Sequence, residues 1–208
     1  MESKTDITTV FLDIGNVLLT NGWAHESRQL AAEKFNLDFN DFNTRHAIVF
    51  ETYELGKLTI DEYLDITVFN KPRNFTKEEF RQFMFTQSKP FPKMIELIKS
   101  LKERYGLKVV AVSNEARELN AYRIEEFELA KIIDFFVSST YVHLRKPDVD
   151  IYKLALDMAH SKPEETLCID DLCVFVEVAQ SLGIKGICHS SYETTCAELQ
   201  SLGFKTTS

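Results

Sequence analysis

The chain has 208 residues, of which 44% are hydrophobic and 27% are charged, and this composition excludes disordered, fibrous and collagen-like classes. Its formal net charge of −8 argues against nucleic acid and against an anionic membrane surface as partners, because both require clustered Lys and Arg. The length suits one domain, or one domain that carries a large insertion.

Short apolar runs rich in β-branched residues predict the strands of a buried parallel sheet. The clearest runs cover residues 9–12, 108–112 and 166–169, and weaker ones cover 135–138 and 186–188. Helical patterns alternate with them over 93–104, 116–130, 149–160 and 174–182. This alternation predicts an α/β fold with a doubly wound parallel sheet, whose ligands bind beyond the carboxyl ends of the strands.

Residues 21–87 interrupt the alternation with four consecutive helical patterns, over 26–35, 39–50, 60–67 and 77–85. Thr59 and Thr76 each precede one of these helices, with Glu62 and Glu79 three positions further on. This spacing is the capping-box pattern. We therefore predict that residues 1–20 and 88–208 form an α/β core and that residues 21–87 form an inserted α-helical cap.

The four cysteines show neither a CxxC pair nor the spacing of a metal site; they are Cys168, Cys173, Cys188 and Cys196. We expect them to be reduced and mostly buried thiols in a cytoplasmic protein. No signal-peptide pattern is visible, and no apolar run approaches the ~20 residues of a membrane span.

Polar residues stand where the predicted strands or their loops end. In chain order they are Asp13, Ser113 with Asn114, Lys146, and the pair Asp170 and Asp171. Each fits an ordinary turn or helix-capping role when taken alone. Together, an acid, a hydroxyl, an ammonium group and an acid pair match a Mg²⁺-assisted phosphoryl-transfer site.

The order of these segments resembles the four motifs of the haloacid dehalogenase (HAD) superfamily, most of whose members are phosphatases. The matching segments are FLDIGNVLL, VVAVSN, LRKPDVDIY and CIDDLCVFVEVAQSLGI. YELGKLTIDEYL is similar to a stretch of the helical caps of a sugar-phosphatase-like branch, in which an Asp-x-Gly-Asn first motif also occurs. The resemblance implies a Mg²⁺-dependent phosphatase of a small phosphorylated metabolite, such as a sugar phosphate, that works as a monomer or homodimer.

The resemblance also implies a role for each strand-end residue. Asp13 is expected to attack phosphorus and form an aspartyl-phosphate. Ser113, Asn114 and Lys146 are expected to bind phosphate oxygens, and Lys146 also offsets the charge of the acids.

The expected Mg²⁺ ligands are the Asp13 carboxylate, the Gly15 backbone carbonyl and the Asp171 carboxylate, with Asp170 binding the ion or orienting a water. The cap is expected to close over the leaving group and to select the substrate. Its candidate substrate-facing residues are Trp23, Arg45, His46 and Tyr53.

Two positions depart from the family pattern. Gly15 stands where the family usually has an Asp that acts as general acid and base, a role typically worth ~10²–10⁴-fold in rate. Either the substrate has a leaving group that departs without protonation, as in an anomeric sugar phosphate, or another donor replaces the Asp, with Glu115 and His143 as candidates. Phe175 stands where a polar residue is common, so a hydrogen bond around Asp171 is expected to be missing.

Three other functions remain open from the sequence. A 2-haloacid dehalogenase is opposed by the pair Asp170 and Asp171, since that branch is metal-independent. A phosphomutase is disfavoured by the loss of the acid–base residue. A binding or regulatory protein without turnover is favoured by Gly15 and Phe175 and opposed by the retained nucleophile and lysine.

Overall fold

A computed structural model describes residues 5–206 and contains one five-stranded sheet, in which all neighbouring strands are parallel. The strand order is β3-β2-β1-β4-β5. The strands are β1 (Thr9–Leu12), β2 (Lys108–Ser113), β3 (Phe135–Ser138), β4 (Thr166–Asp170) and β5 (Lys185–Cys188). Two apolar clusters, one beneath each face of the sheet, bury these strands, and the predicted α/β fold is confirmed.

The α-helices of the described part of the chain follow in order. They are α1 (His25–Lys34), α2 (Phe39–Glu54), α3 (Ile60–Thr67), α4 (Lys77–Phe85), α5 (Pro92–Tyr105), α6 (Arg117–Glu126), α7 (Ser139–Val142), α8 (Val149–Ala159), α9 (Cys173–Ser181) and α10 (Tyr192–Ser201).

Four helical features differ from the sequence prediction. The helix predicted over 39–50 continues for one more turn, to Glu54. The helix expected over 116–130 ends at Glu126 and is followed by a separate 3₁₀ turn at Leu129–Lys131, because Glu128 adopts a left-handed backbone conformation between them. The sequence did not predict α7, which is a single turn. It also did not predict α10, whose largely polar sequence lacks a clear apolar stripe and begins at the Ser191 capping box.

The two predicted capping boxes are present. The Thr59 hydroxyl accepts a hydrogen bond from the Glu62 backbone N–H at 3.2 Å, and the Glu62 carboxylate accepts one from the Thr59 N–H at 2.8 Å. Thr76 and Glu79 repeat this arrangement at 3.1 and 2.7 Å. Each box satisfies N–H groups that the first helical turn leaves without partners.

The position of β1 locates the crevice of the sheet. The chain runs from β1 to β2 and β3 on one side and then returns to place β4 on the other side of β1. Leu12 is in register with Ala111 of β2 and with Ile169 of β4. The residues that follow these three strands therefore leave the sheet along the same edge, at the topological switch point where ligands of such sheets bind.

Helices α1–α4 form a bundle with its own apolar cluster, rich in aromatic side chains. The two chain segments that join this bundle to the sheet lie side by side. The Thr20 N–H donates to the Lys89 carbonyl at 2.8 Å, and the Lys89 N–H donates to the Thr20 hydroxyl at 3.0 Å. We call helices α1–α4 and their connections the helical bundle.

The expectation that all cysteines are reduced is wrong for two of them, because Cys173 and Cys188 form a disulfide with a Cα–Cα distance of 5.0 Å. Cys173 begins α9 just after β4, and Cys188 ends the neighbouring strand β5, so the fold brings together two residues that are 15 positions apart. Cys168 and Cys196 are free, the first buried and the second half-buried.

Within residues 5–206, none of the helices combines the length and the apolar character that crossing a membrane would need.

Candidate active site

The centre of the site is the ammonium group of Lys146, which is 1% exposed. It donates hydrogen bonds to Asp13 Oδ1 at 2.9 Å and to Asp170 Oδ2 at 2.5 Å. Burial lowers the pKa of Lys146, but the charges of Asp13 and Asp170 outweigh it, so that the net shift is upward. Lys146 is therefore a fixed cation between the carboxyl ends of β1 and β4.

The negative charge at this point exceeds what one lysine can balance. Carboxylate oxygens of Asp13, Asp170 and Asp171 lie within 4.8 Å of one another. Burial raises the pKa of Asp170, the charge of Asp13 raises it further, and Lys146 only partly offsets both. Clustered carboxylates are the ligands that Mg²⁺ prefers. The donor set therefore fits the expected ion, and Gly15 lines the same cavity.

Asp171 is held by a residue of the first motif. Asn16 donates from its amide to Asp171 Oδ2 at 2.9 Å, and Asn16 Oδ1 accepts from the Asn21 N–H at 3.1 Å. The expected loss of hydrogen bonding around Asp171 is therefore wrong, because Asn16, which follows the neighbouring strand β1, supplies a partner. Phe175 lines the cavity, and its ring centre lies 5.1 Å from Lys146 Nζ.

Ser113 and Asn114, at the end of β2, have side chains with different contacts. Ser113 ends the strand and lines the cavity. The side chain of Asn114 instead pairs with the backbone of Lys146: its amide donates to the Lys146 carbonyl at 2.9 Å, and its oxygen accepts from the Lys146 N–H at 2.8 Å. Asn114 thereby fixes the loop that carries the lysine.

These groups line a cavity of about 260 Å³ between the sheet edge and the helical bundle. Glu54 at the end of α2 and Arg145 beside Lys146 also line it, although neither is among the predicted site residues. The adjacency of Arg145 to Lys146 is a signal that could have identified it. The full lining consists of Asp13, Gly15, Asn16, Asn21, Phe50, Glu54, Ser113, Asn114, Glu115, Arg145, Lys146, Asp171, Leu172 and Phe175.

The candidate substrate-facing residues of the bundle are dispersed. Trp23 and Tyr53 line a side cavity of about 30 Å³, which shares Glu54 with the larger one. Arg45 lies at neither cavity and pairs with Asp41 at 2.9 Å.

His46 is buried, its Nδ1 lies 2.8 Å from the hydroxyl of Tyr63, and burial, reinforced by the charge of Arg28, lowers its pKa to about 3. It therefore stays neutral at physiological pH within the packing of the bundle.

The two expected replacement acids also differ in position. Glu115 lines the cavity, but its Oε1 is bonded to the guanidinium of Arg123. Arg123, which is 1% exposed, also donates to the Ser88 hydroxyl at 2.9 Å and to the Thr20 carbonyl at 2.8 Å. His143 does not line the cavity, and its Nδ1 donates to the Leu55 carbonyl at 2.7 Å.

A family model described as haloacid dehalogenase-like hydrolase matches residues 7–183. The chain belongs to this family. The match covers strands β1–β4, the helical bundle and the strand-end residues of all four motifs.

Solved structures of HAD enzymes share the fold. An enzyme of this family from Bacteroides thetaiotaomicron has a TM-score of 0.76 at 21% identity, with 87% of this chain and 92% of that chain covered. The L-2-haloacid dehalogenase of Xanthobacter autotrophicus has a TM-score of 0.64 at 17% identity, with 94% and 83% covered.

Curated relatives match parts of the sequence. The bifunctional epoxide hydrolase 2 of Sus scrofa is 27% identical over 62% of this chain, but only 24% of that protein is covered. A phosphorylated carbohydrates phosphatase of Thermotoga maritima is 32% identical, with 46% of this chain and 44% of that protein covered. A sesquiterpene phosphatase of Aspergillus oryzae is 28% identical over 73% of this chain and 78% of that protein.

Proposed function

We propose that this HAD hydrolase is a Mg²⁺-dependent phosphatase that acts on a small phosphorylated metabolite through an aspartyl-phosphate at Asp13. The observation that carries the proposal is the buried lysine bonded to two strand-end carboxylates, Asp13 and Asp170, with Asp171 beside them. The volume of the cavity, about 260 Å³, suits a small substrate. We further propose that residues 21–87 act as the cap.

Asp13 is the nucleophile in this proposal. Its carboxylate oxygen attacks phosphorus, the bond from phosphorus to the leaving oxygen breaks, and water then hydrolyses the aspartyl-phosphate. Lys146 holds the Asp13 carboxylate through the 2.9 Å hydrogen bond and keeps a positive charge where phosphate oxygens gather negative charge. Ser113 Oγ can donate to a phosphate oxygen from the end of β2.

The ligands of Mg²⁺ would be the carboxylates of Asp13 and Asp171 and the Gly15 carbonyl, with Asp170 near them. The bound ion supplies positive charge to the phosphate oxygens. Asn16 orients the Asp171 carboxylate, and loss of such a partner typically weakens metal binding or activity ~10–100-fold.

Named relatives support the substrate class. The Thermotoga and Aspergillus proteins are described as phosphatases, the first of phosphorylated carbohydrates and the second of sesquiterpenes. The Bacteroides enzyme was solved in complex with magnesium and inorganic phosphate. These likenesses favour phosphate-ester hydrolysis, and the first favours a sugar phosphate.

A panel of phosphorylated sugars, nucleotides and cofactors tests the proposal directly. The wild type is expected to release phosphate from at least one class in the presence of Mg²⁺ and to lose that activity after chelation. Asp13→Asn is expected to reduce the release at least ~10⁴-fold, as removal of a nucleophile does in other enzymes. Phosphate release that survives in Asp13→Asn contradicts the proposal.

The regulatory alternative predicts a different result, and Gly15 is the observation that favours it. It predicts binding of phosphorylated ligands without any phosphate release across the panel. Chloride release from a 2-haloacid without added metal would instead indicate a dehalogenase.

A further inference from the structure

A proton donor for the leaving group would have to lie on the side of the cavity that faces away from Asp13. In phosphoryl transfer, the attacking and leaving oxygens lie roughly in line on opposite sides of phosphorus. Asp13 attacks from the edge of the sheet, so the leaving oxygen points towards the helical bundle. Gly15 supplies no side-chain proton, so a donor that replaces the family's Asp would have to come from the bundle side.

Glu54 is the residue that meets this requirement. Within the described residues, it is the only acidic side chain of helices α1–α4 that lines the cavity. Its Oε2 accepts a hydrogen bond from Arg145 Nη2 at 2.8 Å. The side chain is 9% exposed, and because it lines the cavity, this small exposed part is accessible from there.

The end of α2 that carries Glu54 is fixed to the core by several contacts. The Ser139 hydroxyl donates to the Glu54 carbonyl at 2.7 Å, and His143 Nδ1 donates to the Leu55 carbonyl at 2.7 Å. Gly56, with φ +67°, lies so close to Thr140 that a Cβ atom there would come within 2.2 Å of the Thr140 carbonyl oxygen. The Glu54 backbone is therefore held against α7 of the core.

Glu115, the other glutamate that lines the cavity, belongs to the core and is less suited to proton transfer. Glu115 is bonded to Arg123, and its Oε2 is buried without a hydrogen-bond partner in the described part of the chain. That arrangement anchors the segments that join the bundle to the sheet, through Ser88 and Thr20. His143 is directed at the Leu55 carbonyl and does not reach the cavity.

Resting on the phosphatase function proposed above, we propose that Glu54 is the general acid and base of this site, in place of the aspartate that Gly15 has replaced. In the first step, the protonated Glu54 carboxyl transfers its proton to the leaving oxygen as the phosphorus–oxygen bond breaks and Asp13 becomes phosphorylated. In the second step, the Glu54 carboxylate takes a proton from the water that attacks the aspartyl-phosphate. The two transfers balance, and Glu54 returns protonated.

The raised pKa of the Glu54 carboxyl group supports this role. Burial raises the pKa of Glu54 to about 7, Arg145 and Lys146 lower it, and Glu115 raises it. These are the charged groups that face it, together with Glu51, which shares Arg145 at 2.8 Å. A general acid that must also act as base works best with a pKa near the operating pH.

A series of aryl phosphates with graded leaving-group basicity tests the proposal, with Mg²⁺ present. The quantity to compare is kcat/KM, which reports the steps up to phosphoryl transfer to Asp13 and not the hydrolysis step that all substrates share. In the wild type, kcat/KM is expected to vary little along the series, and in Glu54→Gln it is expected to fall ~10²–10⁴-fold for phenyl phosphate and less than about tenfold for p-nitrophenyl phosphate. Glu51→Gln is the matched control, because it removes the other acidic partner of Arg145 and is expected to behave as the wild type.

Two outcomes separate the two proposals. If Glu54→Gln matches Glu51→Gln along the whole series, or lowers kcat/KM equally for all members, Glu54 is not the proton donor, while phosphatase activity stands. If the wild type hydrolyses no member of the series and no member of the metabolite panel, the phosphatase proposal itself fails.

A metal-free measurement adds a readout that does not depend on turnover. NMR titration of isotope-labelled glutamate side chains is expected to show a carboxyl signal from Glu54 that titrates near neutral pH in the wild type and in Glu51→Gln. That signal should be missing in Glu54→Gln. Its persistence in Glu54→Gln would overturn the assignment.

Discussion

The core and the helical bundle face the same cavity with different chemistry. The core side carries charges that are paired with one another, Lys146 with Asp13 and Asp170. The bundle side is packed with aromatic rings, such as Tyr53 stacked on Tyr63 at 4.5 Å. Among the described residues of α1–α4, only Glu54 brings a charge to the cavity. The comparison suggests that the core carries the phosphate chemistry and that the bundle shapes the leaving-group side around one acid.

Removal of Lys146 should have the largest effect, because it breaks the charge pairing of the core. Lys146→Met leaves Asp13 and Asp170 buried side by side without a cation, and breaking a buried pair in this way typically costs about 3–5 kcal/mol. We expect the free energy of unfolding to fall by this amount and phosphate release to disappear. Urea unfolding and the phosphate assay measure both effects.

Lys153→Met is the matched control for that substitution. Lys153 pairs with Asp150 at 2.8 Å on an exposed helix surface, where such pairs contribute at most about 1 kcal/mol. Equal destabilisation by the two substitutions would show that the pairing in the core has no special importance.

The second prediction concerns the pH dependence of stability. It tests Glu54, the one charged side chain that the described residues of α1–α4 bring to the cavity. Its pKa of about 7 in the folded protein lies above its ordinary value of 4.5, so the folded state binds the proton more tightly than the unfolded state. The stability that this provides is complete below about pH 4.5 and is lost as the pH rises through about 7. The difference corresponds to about 3 kcal/mol.

Comparison of variants isolates this contribution. Between pH 4.5 and 8, wild-type protein is expected to lose about 3 kcal/mol of unfolding free energy relative to Glu54→Gln. Glu51→Gln should follow the wild type, since Glu51 is 72% exposed. Parallel stability curves for wild type and Glu54→Gln would contradict the raised pKa.

The smallest effect is expected inside the bundle. Trp23 donates from its indole N–H to the Tyr63 hydroxyl at 2.9 Å in a buried position. Trp23→Phe removes this bond, and we expect a loss of about 1–3 kcal/mol in unfolding free energy with kcat for p-nitrophenyl phosphate nearly unchanged. A large loss of kcat at unchanged stability would instead place Trp23 in substrate contact.

The strand-end residues could be predicted because their position depends on local sequence and on sheet topology alone. Asp13, Ser113 and Asp170 each end an apolar run, and parallel pairing brings such ends to one edge. Glu54 could not, because its approach to the cavity depends on how the end of α2 docks against α7. The helical pattern predicted over 39–50 ends before Glu54, so it does not place this residue at the site. Arg145 stands next to a predicted site residue, but its contact with Glu54 depends on the same docking.

Two further features could not be predicted from the sequence, because they also depend on tertiary contacts. Arg123 lies in a polar stretch of α6 that favours an exposed position, yet it is buried against Glu115 and both chain segments that lead to the bundle. The Cys173–Cys188 disulfide depends on the pairing of β4 with β5, which the spacing of the cysteines does not reveal.

The most direct test of the central claim is to trap the covalent intermediate. Wild-type protein is mixed with Mg²⁺ and a substrate that it hydrolyses, quenched in acid, and digested for peptide mass spectrometry. The account predicts one phosphoryl group on the peptide that contains Asp13, absent without Mg²⁺ and absent in Asp13→Asn. It also predicts that Glu54→Gln changes the amount of this species without moving it. Steady turnover with no phosphoryl group on Asp13 at any quench time, or with the group on another residue, would contradict the account.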